Sequence, residues 1–252
     1  MNEAKIRKPC FCCKKGAFVP VPPGTYDTYQ CNNCEHIYRM YFKSAAKFHS
    51  DDGDYRKNEY DEVTKTFDGW VLKNSEMRLE RVRNQISHFK KYVNDKQTCL
   101  EVASGKGFML KELEGVFKHI TCSDIHPSVI NHNKEYNSYV DDFIVSDVLT
   151  LPDDKQYDVV IAMDMLEHVE DAHEFVDKMH SIVREYVIVQ VPINRGMKPV
   201  NPNFDGHVHY FSKLSLRHLF YPKFEQKYIY HSEKGELAGG EELIAVFKKV
   251  KI

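Results

Sequence analysis

Cys10, Cys13, Cys31 and Cys34 stand near the start of the chain as C-x2-C-x17-C-x2-C. Each C-x2-C pair turns on a tight knuckle that points two thiolates at one ion, and the separation of the pairs falls in the range of a zinc site. Four sulfur ligands close a tetrahedron and leave no position for water, so the expected zinc is structural. Between the knuckles, "AFVPV" and "TYDTYQ" read as short strands split by the turn-former "PPG", which together make a zinc ribbon hairpin. Cys12 is an odd thiol between two ligands, either a spare or a substitute for Cys10 or Cys13. A redox C-x-x-C needs a thioredoxin-like βαβ context, which this stretch lacks. Cys99 and Cys122 lie in apolar strand-like runs and read as buried small hydrophobes.

A second group of chemically capable residues begins at "EVASGKGFML". Gly105 and Gly107 let the backbone turn tightly and approach a ligand. The helix that starts there offers free N–H groups to an anion such as a carboxylate. Asp124 lies 19 residues beyond Gly105, at the end of the next strand-like run, where an acid can accept from a ribose diol. Asp147 ends the third run, within reach of a base. A nicotinamide dinucleotide site would read G-x-G-x-x-G, yet the third position is Phe108 counted from Ala103 and Leu110 counted from Gly105. A bulky residue there suits a ligand without a pyrophosphate. A nucleoside with an amino-acid tail fits, and S-adenosylmethionine is such a ligand. Base candidates at the strand ends are Asp164 and His168 after the fourth run, and His207 and His209 after the fifth. Each histidine has a plainer reading as a buried, hydrogen-bonded shaper of its loop. The His-x-His pair with Asp164 could also hold a metal.

The elements that must position these residues follow from periodicity. From Thr98 onward, "TCLEVA", "HITCSDI", "DFIVSDV", "YDVVIAM", "YVIVQVP", "KFEQKYIYH" and "ELIAVFKKV" read as strands. Helices fit between them at "GFMLKELEG", "PSVINHNKEYN", "DAHEFVDKMHSIV" and "SKLSLRHLF". This alternation predicts an α/β fold, a doubly wound Rossmann-like sheet. The last two strands form a hairpin across "EKGELAGGE", so the sheet closes with an antiparallel strand. Upstream, Leu79, Val82, Ile86, Phe89 and Val93 make one apolar stripe of a helix capped by Asn74 or Ser75. The cations Lys73, Arg78, Arg81, Arg83, Lys90 and Lys91 read as its solvated face. The stretch before it, with Tyr55, Tyr60 and Phe67, is a helical lid or a connector. The predicted organisation is a ribbon at 1–42, a helical connector at 43–97 and a ligand-binding domain at 98–252.

Composition narrows the function classes. The chain has 252 residues, 42% hydrophobic and 29% charged, which is globular rather than disordered. Its formal net charge is −2, so no global basic field draws it to nucleic acid. No apolar run reaches the roughly 20 residues of a membrane span. The start "MNEAKIRK" lacks the apolar core of a signal peptide. The expectation is a soluble cytoplasmic protein with reduced thiols and no membrane partner. Oligomeric state is not legible.

At these motifs the chain resembles a known family. "LEVASGKGFMLKEL" looks like motif I of the class I S-adenosylmethionine-dependent methyltransferases. "CSDIHPSVI" is similar to their second-strand acidic motif and "VSDVLTLP" to their adenine-side motif. "YDVVIAMDMLEHVEDAHEFVDKMHSIV" and "HVHYFSKLSLRHLF" resemble segments of the methyltransferase-11/23 type. The ribbon and connector resemble, more loosely, bacterial members that act on sugars and glycans. The resemblance implies cofactor contacts at Glu101, Ala103, Gly105 and Gly107, ribose contacts at Asp124 and Ile125, adenine contacts at Asp147 and Val148, and a pocket wall at Met163. It also implies His207 as first candidate for general base, with His209 second, and leaves His168 a structural residue. Ala103 departs from the family's usual glycine, and alanine resists positive φ. The fourth strand ends in "AMDMLEH" rather than in Asn/Asp-Pro-Pro-aromatic, which argues against methylation of adenine N6 or a glutamine amide. The expected activity is O-methylation of a small molecule or a sugar or glycan hydroxyl. The alternatives are an RNA methyltransferase whose ribbon grips nucleic acid through Phe11, Tyr26, Tyr29 and Tyr38, and a non-catalytic protein that keeps the fold.

Overall fold

The computed structural model describes residues 9–20, 28–39, 76–193, 207–232 and 241–251. Asn74, Ser75, Tyr26, Tyr55, Tyr60, Phe67, the "PPG" turn and most of the loop after the fifth predicted strand lie outside them. The chain order is β1 (Phe18–Pro20), β2 (Thr28–Cys31), β3 (Ile37–Arg39), α1 (76–93), β4 (Thr98–Val102), α2 (Phe108–Leu113), β5 (His119–Asp124), α3 (Pro127–Tyr136), β6 (Asp142–Val145), β7 (Tyr157–Met163), α4 (Ala172–Ile182), β8 (Val183–Pro192), β9 (His209–Tyr210), α5 (Lys213–Phe220), β10 (Phe224–His231) and β11 (Glu242–Lys249).

The large sheet runs β10-β11-β8-β7-β4-β5-β6. The five strands β4 to β8 pair in parallel, and β11 lies antiparallel between β8 and β10. The expected α/β sheet with an antiparallel addition at one end is thus present. Alternation along the strands explains why helices cover both faces. Leu100, Val102, Val160 and Ala162 point to the face of α4 and α5, where Phe175, Met179, Leu216 and Phe220 cover them. Cys99, Val159 and Ile161 point the other way, onto the Val82, Ile86, Phe89 and Val93 stripe of α1 and the Leu110 and Ile130 side chains of α2 and α3. Cys99 and Cys122 are buried as expected. The chain order reverses between β4 and β7, and a crevice opens at such a switch point, outside the carboxyl ends of the strands.

A second sheet, β1-β2-β3-β9, holds the cysteine ribbon. The expected hairpin is there as β1 and β2, with Phe18 opposite Cys31. The sheet does not stop at a hairpin: β3 adds to β2, and β9, which comes from far along the chain, adds to β3. Among the described residues no helix is long and apolar enough to cross a membrane.

Candidate active site

The loop between β4 and α2 carries three residues at positive φ: Ala103 at 53°, Gly105 at 51° and Gly107 at 73°. Gly107 is required twice over. Its conformation favours glycine, and a Cβ there would run into the side chains of Asn133 and Asn137. Ala103 holds the same left-handed conformation with a methyl group, at a cost of about 1 kcal/mol. Buried amides and hydroxyls hold the loop from behind. Asn133 Nδ2 donates to the Gly105 carbonyl at 2.9 Å, and Asn137 Nδ2 donates to Asn133 Oδ1 at 2.7 Å. The Ser104 amide donates to the Ser123 carbonyl at 3.1 Å. Burial pushes the neighbouring Cys122 thiol up to about 12, so it stays protonated.

Two acids converge on this loop. Asp124 ends β5 and accepts the Gly105 amide at 3.1 Å and the His126 amide at 3.0 Å. One bond to each carboxylate oxygen leaves lone pairs on both. Glu101, 4% exposed, has an Oε2 with no hydrogen-bond partner. Burial and the nearby Asp124 charge hold its carboxyl well above the usual range. A buried orphan carboxylate aimed at a cleft fits a ligand that brings a donor or a positive charge. Asp147 does not end β6, as the sequence suggests. It follows the strand by two residues and caps a short 3-10 turn, accepting the Leu149 amide at 2.8 Å. Val148 beside it is half-buried, and Ile125 keeps 40% of its surface exposed.

A cavity of about 210 Å³ opens between the loop and α1, with Arg78, Arg81, Glu101, Gly105, Met163 and Asp164 among its walls. Arg81 is therefore not on a solvated helix face. It pairs with Asp164 at 2.9 Å and with Glu242, and only 24% of its side chain is exposed. Gln190 Nε2 donates to the other oxygen of Asp164 at 2.9 Å, and Gln85 Nε2 donates to Gln190 Oε1 at 2.6 Å. One polar chain thus ties α1 to the ends of β7, β8 and β11. Asp164 serves as an anchor in it rather than as a free base. The sequence held a signal for this: Arg78, Arg81 and Gln85 fall on the edge of the apolar stripe, where a solvated face would not put them.

The histidines sort into two environments. His209 is buried, with Nε2 at 3.2 Å from the Glu170 carbonyl and Nδ1 at 3.2 Å from His36 Nε2. Burial pushes its pKa down to about 4. It is a structural link, and among the described residues the metal option of His207 and His209 with Asp164 does not form a cluster. A different trio does. His207 Nε2 lies 3.9 Å from Glu167 Oε1, and His168 Nε2 lies 4.0 Å from the same oxygen. One ligand atom from each of Glu167, His168 and His207 falls within 4.8 Å of the others. Glu167 is 1% exposed, its Oε2 lacks a partner, and burial with the Asp164 charge raises its pKa well above normal. His168 belongs to this cluster beside its own structural turn. Nothing in the spacing of residues 167, 168 and 207 announces the meeting.

The four cysteines come together as the spacing predicts. Cys10 Sγ lies 3.6 Å from Cys34 Sγ, and Cys13 Sγ lies 3.6 Å from Cys31 Sγ. Tetrahedral bonds of about 2.3 Å to zinc place sulfurs about 3.8 Å apart, so the set fits that ion. Cys12 is buried beside them and is not one of the four.

A family model described as "Methyltransferase domain" matches residues 74–221, more than half of the chain. The chain belongs to this family. Ubiquinone biosynthesis O-methyltransferase of Rickettsia bellii is 31% identical over 130 residues, 47% of this chain and 54% of that protein. The chain thus spans about half the length of the curated relatives it matches. Among solved structures, the 1,6-didemethyltoxoflavin-N1-methyltransferase of Burkholderia thailandensis, with bound 1,6-didemethyltoxoflavin and S-adenosylhomocysteine, superposes with a TM-score of 0.61 at 14% identity. That match covers 94% of this chain and 96% of the other. The N-methyltransferase NodS of Bradyrhizobium japonicum WM9 gives 0.57 at 14% identity, over 70% of this chain and 98% of its own. The fold of the chain is therefore that of the class I S-adenosylmethionine-dependent methyltransferases.

Proposed function

We propose that the protein transfers a methyl group from S-adenosylmethionine to a hydroxyl of a small molecule, a sugar or glycan hydroxyl being the first class to try. One observation carries the reading. Asp164, in the wall of a cavity shared with the glycine loop and Glu101, stands three residues before Glu167, which forms a cluster with His168 and His207. Bound in the cavity, S-adenosylmethionine would supply a methyl carbon already activated by its sulfonium.

The chain's own residues then have separate tasks. Glu101 offers its unpartnered oxygen to the ammonium of the amino-acid tail, and Arg78 and Arg81 offer opposite charge to its carboxylate. Ala103, Gly105 and Gly107 bring backbone close to the ligand. Asp124 offers its spare lone pairs to the ribose diol, with Ile125 and Val148 as apolar surface for adenine and Asp147 fixing the turn that bears Val148. Met163 closes the pocket toward the acceptor. Transfer needs the acceptor oxygen in line with the methyl carbon, about 3 Å away. As the oxygen–carbon bond forms and the carbon–sulfur bond breaks, the hydroxyl proton must leave, and His207, 3.9 Å from Glu167, is the base assigned to take it. Four thiolates holding a structural zinc complete the assignment.

The His207→Gln variant tests the base. With labelled methyl donor and a panel of catechols and nucleotide sugars, kcat should fall by about 10² or more, while affinity for S-adenosylhomocysteine stays constant. Full turnover would end the role of His207. Turnover that depends on an added divalent cation would instead make the Glu167, His168 and His207 trio a cation seat. An RNA acceptor has less support. Phe11 and Tyr38 pack edge to face at 4.7 Å and Tyr29 is buried, so among the described residues these three rings are engaged in packing within the ribbon rather than offered to a base.

A further inference from the structure

The strand that follows the candidate base is not held by the large sheet. β9 has two residues, and in its sheet it pairs with β3 alone, Ile37 opposite Tyr210 and Tyr38 opposite His209. β3 in turn follows directly from the second cysteine knuckle, where the Cys31 amide donates to the His36 carbonyl at 2.8 Å. Ser212 Oγ, just past β9, donates to the Cys34 carbonyl at 2.6 Å. His209 bridges the two sides. The Glu170 carbonyl can only accept, so His209 Nε2 carries the proton. Its Nδ1 therefore accepts from His36 Nε2. The His36 Nδ1 is then the unprotonated atom, in keeping with its having no partner. On the other flank the Val208 amide donates to the Glu167 carbonyl at 2.8 Å. His207 thus sits at the head of a segment clamped between the ribbon and the turn that bears Glu167.

The ribbon is small and adds only a few rings, Phe11, Phe18, Tyr29 and Tyr38, to its cysteines. Its own strands have three, four and three residues, with four cysteines at their centre. A module of that size folds on its metal. The cofactor side is independent of it. The glycine loop is held by Asp124, Asn133 and Ser104, and no residue of the ribbon appears among the described walls of the cavity.

We propose that the metal ribbon is a positioning element for the acceptor side of the site: by presenting β3 as the docking edge for β9, it sets His207 against Glu167 and leaves cofactor binding alone. The proposal rests on the reading of the cysteines as a zinc site and of His207 as an acceptor-side residue. Hydrogen–deuterium exchange on the full chain tests it, with one zinc per chain and after stripping with 1,10-phenanthroline. Stripping should raise exchange at 208–212 by about tenfold or more together with 28–39, while β4, β5 and β7 keep their protection. The dissociation constant for S-adenosylhomocysteine should stay within about threefold. The His36→Phe variant keeps all four cysteines and removes the donor to His209. It should retain zinc, loosen 208–212, and shift the imidazole resonances of His207, assigned by their loss in His207→Gln. If zinc binds and 208–212 stay protected in both states and in the variant, positioning is wrong. If stripping weakens S-adenosylhomocysteine binding as much as it loosens β9, the ribbon is a global stabiliser instead. A chain that binds no zinc overturns the metal reading itself.

Discussion

At the scale of the residue, strain and burial single out the glycine loop and Glu101 beside it. Ala103 sits at φ 53° where glycine would be at ease. Ala103→Gly should therefore raise unfolding free energy by about 1 kcal/mol in denaturant titration, unlike most glycine substitutions, which lower it. Gly107→Ala should do the reverse and weaken cofactor binding, since its Cβ meets Asn133 and Asn137. Glu101 gives a pH signature. Its folded pKa is raised, so its contribution to stability is complete below about pH 4.3, the unfolded value, and is lost as pH rises toward the folded pKa. Glu101→Gln should then match the wild type in acid and exceed it in mild alkali, as followed by thermal unfolding of the ligand-free protein. If Glu101 meets the ammonium of the cofactor, binding favours its charged form and releases a proton. Calorimetry in buffers of different ionisation enthalpy will detect that release, and its absence would argue against the contact.

At the scale of the element, α1 does two jobs with two edges of one helix. Its apolar stripe covers Ile161 and Ile188, and its polar edge reaches over the cavity. Arg81 is the joint. Removing it leaves Glu242, 5% exposed, without its cation. A fully buried pair broken on one side costs about 3–5 kcal/mol, and partial exposure of Arg81 brings the expectation for Arg81→Ala to about 2 kcal/mol. The same variant should weaken S-adenosylhomocysteine binding by about tenfold, readable by calorimetry. A variant with lowered stability and unchanged affinity would make Arg81 a structural joint only.

At the scale of the whole molecule, the ribbon and the catalytic sheet are one piece of architecture joined through β9, Ser212 and the contact of His173 with the Phe11 carbonyl. Zinc-loaded protein should accordingly unfold in a single calorimetric transition. Metal-free protein should melt earlier and with a smaller unfolding enthalpy, because strands of two to four residues cannot persist alone and the ribbon's share is already lost. One unchanged transition in both states would deny the metal a structural role.

The sequence by itself determined what local periodicity and short spacing can encode. The alternation of Leu100 and Val102 against Cys99, the stripe from Leu79 to Val93, the cysteine knuckles and the glycine loop with Asp124 all appear where those patterns place them. Each depends on residues within one element or one βαβ unit, where backbone geometry fixes which side chains share a face. Only the tertiary structure decided which distant polar groups meet. His36 and His209 are 173 positions apart, and Arg81 and Glu242 are 161 apart. The Glu167 cluster likewise draws in His207 from a different strand end. No periodicity links such residues. They meet because strand order sets which carboxyl ends lie side by side, and because an open edge of β3 accepts β9. For that reason Asp164 and His209, candidates beside the first-ranked His207 in the sequence, are an anchor and a bolt in the fold.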